Sequence, residues 1–293
     1  MGDGPRVVAL GGGHGLATAL RAIRRYAGSI TAVVSVADDG GSSGRLRRDL
    51  GVPPPGDIRR CLVALADDEN VWAAAFEHRF GDGELAGHAL GNLVLVGLTE
   101  SLGSFRDALE EAGRLLRTQG RVLPATVEPV VLKAELADTL VEGQVAVANS
   151  RGIRRVELVP PDCVATPAAV EAVAAADQIV YAPGSLYTSV LPVLCVTELR
   201  LAVAASAAQV VQVANLRPQV PETAGLDGAD HLAAVLAHGA RVDRFLYQRD
   251  GVLAVDPVRL RTFGVQAVPV DVARADGLAH DPERLALALR ALL

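Results

Sequence analysis

Lysine is almost missing from this 293-residue sequence: Lys133 stands alone, and arginine supplies the remaining positive charge. The formal net charge is -6 and no basic tract occurs, so the electrostatic footprint of a nucleic-acid-binding protein is absent. No glycine-rich turn ends in the Gly-Lys-Ser/Thr of a P-loop, which excludes that phosphate site. Aromatics are 3% of the chain against 50% hydrophobic residues, so a sizeable core must be built from Ala, Val and Leu. The three cysteines, Cys61, Cys163 and Cys195, are odd in number and lack CxxC or Cys/His spacing. A disulfide framework or zinc site is therefore not expected, and a reducing compartment is. No apolar run reaches the ~20 residues of a membrane helix, and the N-terminus offers no signal-peptide core. The expectation is a cytoplasmic protein with neither membrane nor nucleic acid among its partners.

What the sequence does have is a dense polar run behind a β-branched one. Ile30 to Val36 reads as a strand, and Asp38 and Asp39 stand where it ends. Gly40, Gly41 and Gly44 let the backbone approach a ligand closely, Ser42 and Ser43 add hydroxyls, and Arg45 and Arg47 add planar cationic forks. A solvated turn needs two or three such residues. A run from Asp38 to Arg47 predicts a polar loop that holds a phosphorylated ligand, with or without a divalent cation.

Taken in order, Arg6 to Leu10 reads as a strand and Leu16 to Tyr26 as a helix, with Gly11, Gly12, Gly13, His14 and Gly15 between them. Strand, glycine-rich turn and helix form an anion-receptive unit. Three prolines lead to a helix through Ile58, Leu62 and Leu65 that Asp57 is placed to cap. Arg59 and Arg60 in its first turn oppose the helix dipole, which points to an anionic partner. The pattern from Val71 to Thr118 is helical; His88 and Asn92 share a face, and Gly87, Gly91 and Gly97 imply close packing or a nearby ligand.

Val127 to Leu132, Thr139 to Val147 and Ile153 to Leu158 predict a small β-hairpin or side sheet inserted over residues 121–160, followed by a helix from Ala168 to Ala175. The strand Ile179 to Ala182 then meets Pro183, Gly184, Ser185, Tyr187, Thr188 and Ser189, a second cradle of amides and hydroxyls. It lacks the Gly-x-Ser-x-Gly of a nucleophile elbow, so serine nucleophile chemistry is not expected. Val210 to Ala214 is a strand ending in Asn215 and a polar loop. Helices over 229–238, 257–263 and 282–292 and strands over 245–247 and 265–270 complete the chain. The recurring alternation predicts one α/β domain over 1–293, Rossmann-like and doubly wound around a mainly parallel sheet.

Six motifs, met in order, resemble those of one family: Gly11 to Leu16, Ala37 to Arg47, Pro55 to Arg59, Gly87 to Leu93, Pro183 to Ser189, and Asn215 through Glu222-Thr223. They are similar to the YvcK-type gluconeogenesis factors of the CofD-like superfamily, over essentially the whole chain. Three departures from the family pattern are visible: His14 replaces a frequent threonine, and the segments Arg217 to Glu222 and Glu142 to Gln144 are altered. The resemblance implies a CofD-like fold, a homodimer in the bacterial cytoplasm, and binding of UDP-sugars such as UDP-N-acetylglucosamine. It also implies a role in cell shape and cell-wall synthesis during gluconeogenic growth, with cell-wall or signalling proteins as partners. The other branch, 2-phospho-L-lactate transferase, would instead be an Mg2+-dependent phosphotransferase acting on a deazaflavin, and the scarcity of aromatics favours binding over catalysis. On this reading the amides of Gly12, Gly13, Gly15, Gly184 and Ser185 hold phosphates, and Asp39 and Asp57 hold Mg2+ or a sugar hydroxyl. Ser42, Ser43, Arg45, Thr188 and Ser189 add phosphate contacts, and His88, Asn92 and Asn215 orient the remainder.

Overall fold

The computed structural model describes residues 3–293. Its strands are β1 (Arg6–Gly11), β2 (Ser29–Val34), β3 (Arg121–Pro124), β4 (Val131–Glu135), β5 (Leu140–Glu142), β6 (Arg155–Val159), β7 (Gln178–Tyr181), β8 (Gln209–Val213), β9 (Arg244–Gln248) and β10 (Gln266–Val270). Seven of them form one sheet in the order β10-β9-β8-β7-β1-β2-β3, parallel throughout. The central strands are buried on both faces, which is why they read as unbroken apolar runs rather than alternating ones. From β1 the chain winds outward through β2 and β3, then returns to β7 on the other side of β1. The switch point between those two directions lies at the carboxyl ends of β1 and its neighbours, where open α/β sheets place ligands.

Helices α1 (Gly13–Ile23), α2 (Gly41–Leu50), α3 (Gly56–Leu65), α4 (Val71–Glu77), α5 (Leu90–Leu102) and α6 (Phe105–Leu116) belong to the first half. α1 packs against α3 and against the terminal helix Pro282–Arg290, burying Leu16, Leu20 and Ile23. No single helix among the described residues is long and apolar enough to cross a membrane. The apolar pair Leu186–Cys195 and Thr197–Ala205 is bent by 79°, and Leu186 to Leu194 are buried in the core.

Several local expectations are corrected. The polar run after β2 is not a loop: most of it is α2. Its glycines and serines carry low helix propensity, and tertiary contacts decide instead. Leu46 packs with Val52 and Val96, Asn92 Nδ2 donates to Ser42 Oγ, and the Gly56 amide donates to Ser43 Oγ. Gly44 is required there because a Cβ would lie 1.9 Å from the Asp39 carbonyl oxygen. The side sheet is antiparallel, as the hairpin pattern implies, but comprises only β4, β5 and β6. Residues 121–124, expected within it, are instead the edge strand of the main sheet. The second arm of the hairpin stops at Glu142, and Gln144–Ala148 is a short helix. The helices over 186–195 and 197–205 are additional to those the sequence pattern predicts.

Two buried histidines give the fold a pH dependence. Burial pushes His231 and His280 from 6.5 down to about 4. The unfolded chain takes up protons at these imidazoles below 6.5 while the folded chain does not, so stability is full above that pH and falls as pH drops towards 4. Each site is expected to contribute up to about 3 kcal/mol to that loss. His231→Leu should therefore show a smaller loss than the wild type between pH 7 and pH 4.5 in urea denaturation. An unchanged difference would mean that His231 titrates normally.

Candidate ligand-binding site

Three helix N-termini converge at the carboxyl edge of the sheet, around a cavity of about 330 Å3. Gly13 brings the start of α1, Gly40 to Ser43 the start of α2, and Gly56 with Asp57 the start of α3. The N-cap positions are Gly12, Gly40 and Pro55, and none supplies a side-chain cap. The amides at such ends carry partial positive charge and favour an anion. α1 and the Pro183-Gly184 turn are in direct contact, because a Cβ on Gly15 would lie 1.7 Å from the Pro183 carbonyl oxygen. Gly12 is overlain by Asp57, whose Oδ2 would be 2.6 Å from a Cβ there.

The charged groups of the cavity are mixed. Arg60 Nη1 pairs with Asp57 Oδ1 at 2.7 Å, and Arg79 and Arg59 line the same space. Arg59 is 2% exposed and pairs with Glu77 at 2.6 Å; burial lowers its pKa, but a guanidinium remains charged. Burial also pushes the Asp38 carboxyl up; the Gly40 amide, donating to Oδ1 at 3.0 Å, pulls it back, and the nearby Asp57 charge pushes it further up. His14 is pushed down by burial and then by Arg60, which favours a neutral imidazole. The cavity thus presents helix-end amides and arginines to an anion, and Asp38 and Asp57 to a hydroxyl or cation.

The structure brings many of the sequence-derived candidates together, with altered roles for some. Gly13, Asp38, Gly40, Gly41, Ser42, Ser43, Asp57, Asn92 and Ser189 line the cavity. Gly11 ends β1, and Gly12, His14 and Gly15 flank Gly13 in the turn and first turn of α1. Asp57 is not the cap of α3 but its second residue, and serves the helix dipole from inside the first turn. Asp39 faces away: its carboxylate accepts the amides of Gln144 at 3.0 Å and Val145 at 2.9 Å, tying the start of the side sheet's short helix to the segment just before α2. Arg45 does not line the cavity; one of its terminal nitrogens donates to the Ala86 carbonyl at 2.8 Å. His88 lies just before α5 rather than on it, so it does not share a helix face with Asn92. Ser42 joins them instead, with its Oγ 3.0 Å from His88 Nδ1 and 2.9 Å from Asn92 Nδ2.

The second motif is satisfied from within the chain. Asn215 Oδ1 accepts the Gly184 amide at 2.7 Å, and its Nδ2 returns a bond to the Gly184 carbonyl at 2.8 Å. Glu222, 4% exposed, accepts the Ser185 hydroxyl and, at 2.6 Å, the Tyr187 amide. Burial pushes the Glu222 carboxyl up, and those donors pull it back. Thr188 is buried beside them, and Ser189 carries this segment into the cavity. Sequence reasoning misses Gly56, Arg59, Arg60, Arg79 and Gln144 in the cavity, and Glu222 in the second turn, as site residues. For Arg59 and Arg60 the signal is present, since two arginines at a helix start oppose its dipole; their anionic partners are Glu77 and Asp57. Glu222 is marked only as part of the Asn215 to Thr223 motif; its role is not legible there, because its partners lie 35 and 37 residues away.

Sheet order, switch point and converging helix ends define a Rossmann-like α/β protein with an anion-receptive site. A family model described as 2-phospho-L-lactate transferase CofD matches residues 7–279, and the chain belongs to that family, among its gluconeogenesis factors. The gluconeogenesis factor of Listeria monocytogenes is 39% identical over 308 residues, covering 99% of this chain and 96% of the relative. That of Halalkalibacterium halodurans is 45% identical over 235 residues, covering 79% and 73%. The crystal structure of a UPF0052 family member from Bacillus halodurans superposes with a TM-score of 0.94 at 38% identity, covering 99% of this chain and all of that one.

Proposed function

We propose that this chain binds a UDP-sugar, of the UDP-N-acetylglucosamine type, and acts as a regulatory protein rather than by turning its ligand over. The observation that carries this is the convergence of α1, α2 and α3 on one cavity with Arg60 and Arg79 in its wall, an arrangement suited to a diphosphate. Asp38 and Asp57 are then available to ribose or sugar hydroxyls. A role in gluconeogenic growth rests on the relatives' shared designation; the part in cell shape and wall synthesis, the dimer and the downstream protein partner rest on the family resemblance alone.

Mg2+ belongs to this proposal only as a shared ion. No group of three or more His, Cys, Asp or Glu side chains is poised for a metal among the described residues. Asp38 and Asp57 fit an ion whose other ligands are phosphate oxygens and water, as Mg2+ commonly adopts. Asp39 does not fit, since both its oxygens are engaged by backbone amides.

Calorimetric titration with UDP-N-acetylglucosamine, with and without Mg2+ and against GDP, tests the reading. Saturable UDP-sugar binding without product, weakened about tenfold or more in a folded Arg60→Ala variant, is the expected result. Mg2+-dependent preference for GDP would move the phosphotransferase reading to first place. Undiminished affinity in Arg60→Ala would place the ligand elsewhere.

A further inference from the structure

A second cavity, of about 690 Å3, lies at the far edge of the main sheet, between β3, α6 and the start of the helix Pro167–Ala174. Its apolar lining includes Leu62, Leu109 and Val122, all buried core residues. Arg114, Arg117 and Arg121 stand at one end, where α6 turns into β3. Arg114 is paired with Glu111 at 2.7 Å, but Arg117 reaches Asp67 only at 3.8 Å, and Arg121 has no ion pair among the described residues. That end therefore carries uncompensated positive charge beside an apolar chamber.

Backbone geometry marks the same place. Arg117 ends α6 with φ at +48°, whereas α2 and α5 end in Gly51 and Gly103 at +68° and +66°. A glycine fits that conformation without strain, so an arginine held there is a cost that a role for its side chain would explain. At the other end, Thr166 is the N-cap residue of Pro167–Ala174, yet its hydroxyl does not cap the helix. It is 7% exposed and the hydroxyl has no hydrogen-bond partner. Arg121 and Ala125 lie about 13 Å apart along the strand; Thr166 is bonded to Ala125 through its amide, so the charged and hydroxyl ends are separated by the length of β3.

Addition of a peptide strand to this edge is disfavoured. The Ala125 amide bonds Val34 across the sheet, so by strand alternation residue 124 turns its backbone outward. Pro124 has no N–H to offer there. We propose that the cavity binds a single-chain fatty carboxylate, with its head on Arg117 and Arg121, its chain over Leu62, Leu109 and Val122, and an oxygen at its far end meeting Thr166.

Calorimetry with decanoate, ω-hydroxydecanoate and decanol tests this on the intact chain. Saturable one-to-one binding of decanoate is expected, with the alcohol and the Arg121→Glu variant weaker by about tenfold or more. Arg121 is exposed, so the variant should keep its melting temperature; Arg121→Gln replaces it if it does not. The ω-hydroxy acid should bind more tightly than decanoate, and Thr166→Val should erase that difference. Absence of saturable binding would overturn the proposal. So would equal affinity for the alcohol, affinity indifferent to Arg121, or association only with anionic phospholipid vesicles.

Discussion

Gly15→Ala is expected to destabilise the protein by about 3 kcal/mol or more and to remove ligand binding at the candidate site. In an open helix the same change would gain roughly 1 kcal/mol through helix propensity, so the sign is diagnostic. Gly15 lies in the first turn of α1, and its added Cβ would fall 1.7 Å from the Pro183 carbonyl oxygen and 2.5 Å from the carbonyl carbon. Backbone atoms of a buried turn cannot rotate aside as a side chain can, so α1 must shift away from the 183–184 turn. That shift would displace the amide of Gly13, at the start of α1, from the cavity. Gly97, in the middle of α5 with nothing within 4 Å of an added Cβ, is the control: Gly97→Ala should raise stability by about 1 kcal/mol. Urea denaturation of both variants checks the pair, and stabilisation by Gly15→Ala would refute the contact.

Glu222→Ala should cost about 2 to 4 kcal/mol, because it leaves the Ser185 hydroxyl and the Tyr187 amide without an acceptor in a buried setting. Those donors belong to the turn that ends in Ser189, which lines the cavity, so nucleotide-sugar affinity should fall along with stability. Glu222→Gln keeps the volume but puts an NH2 where one acceptor oxygen stood. It is expected to recover only part of the loss. Thermal melting together with the titration described above reads both effects. A Glu222→Ala variant as stable as the wild type would mean that this carboxylate is not what holds the turn.

The parallel α/β architecture, the anion-receptive turn at Gly11 to Gly15 and the small antiparallel side sheet are legible locally. A β-branched run buried on both faces, a glycine-rich βα turn and apolar residues at helical spacing are each set by nearest neighbours and burial. β3 escapes because its four residues, Arg121 to Pro124, are too few to display a period. α2 escapes because Gly, Ser and Asp prefer turns, and only contacts from Asn92, Gly56 and Val96 outweigh that preference.

By itself, then, the sequence determined which chemistry is present: paired acids, glycine amides, hydroxyls and arginines, clustered in motifs that would gather at one sheet edge. The tertiary structure decided which of those groups face a ligand. Asp39 bonds Gln144 and Val145 and Arg45 bonds Ala86, both outside the cavity lining, while Arg60 and Arg79 enter the cavity and Glu222 occupies the second turn. The physical reason is that a carboxylate or guanidinium bonds whichever partner the fold brings within about 3 Å, and partners 35 to 106 residues away leave no trace in the local pattern.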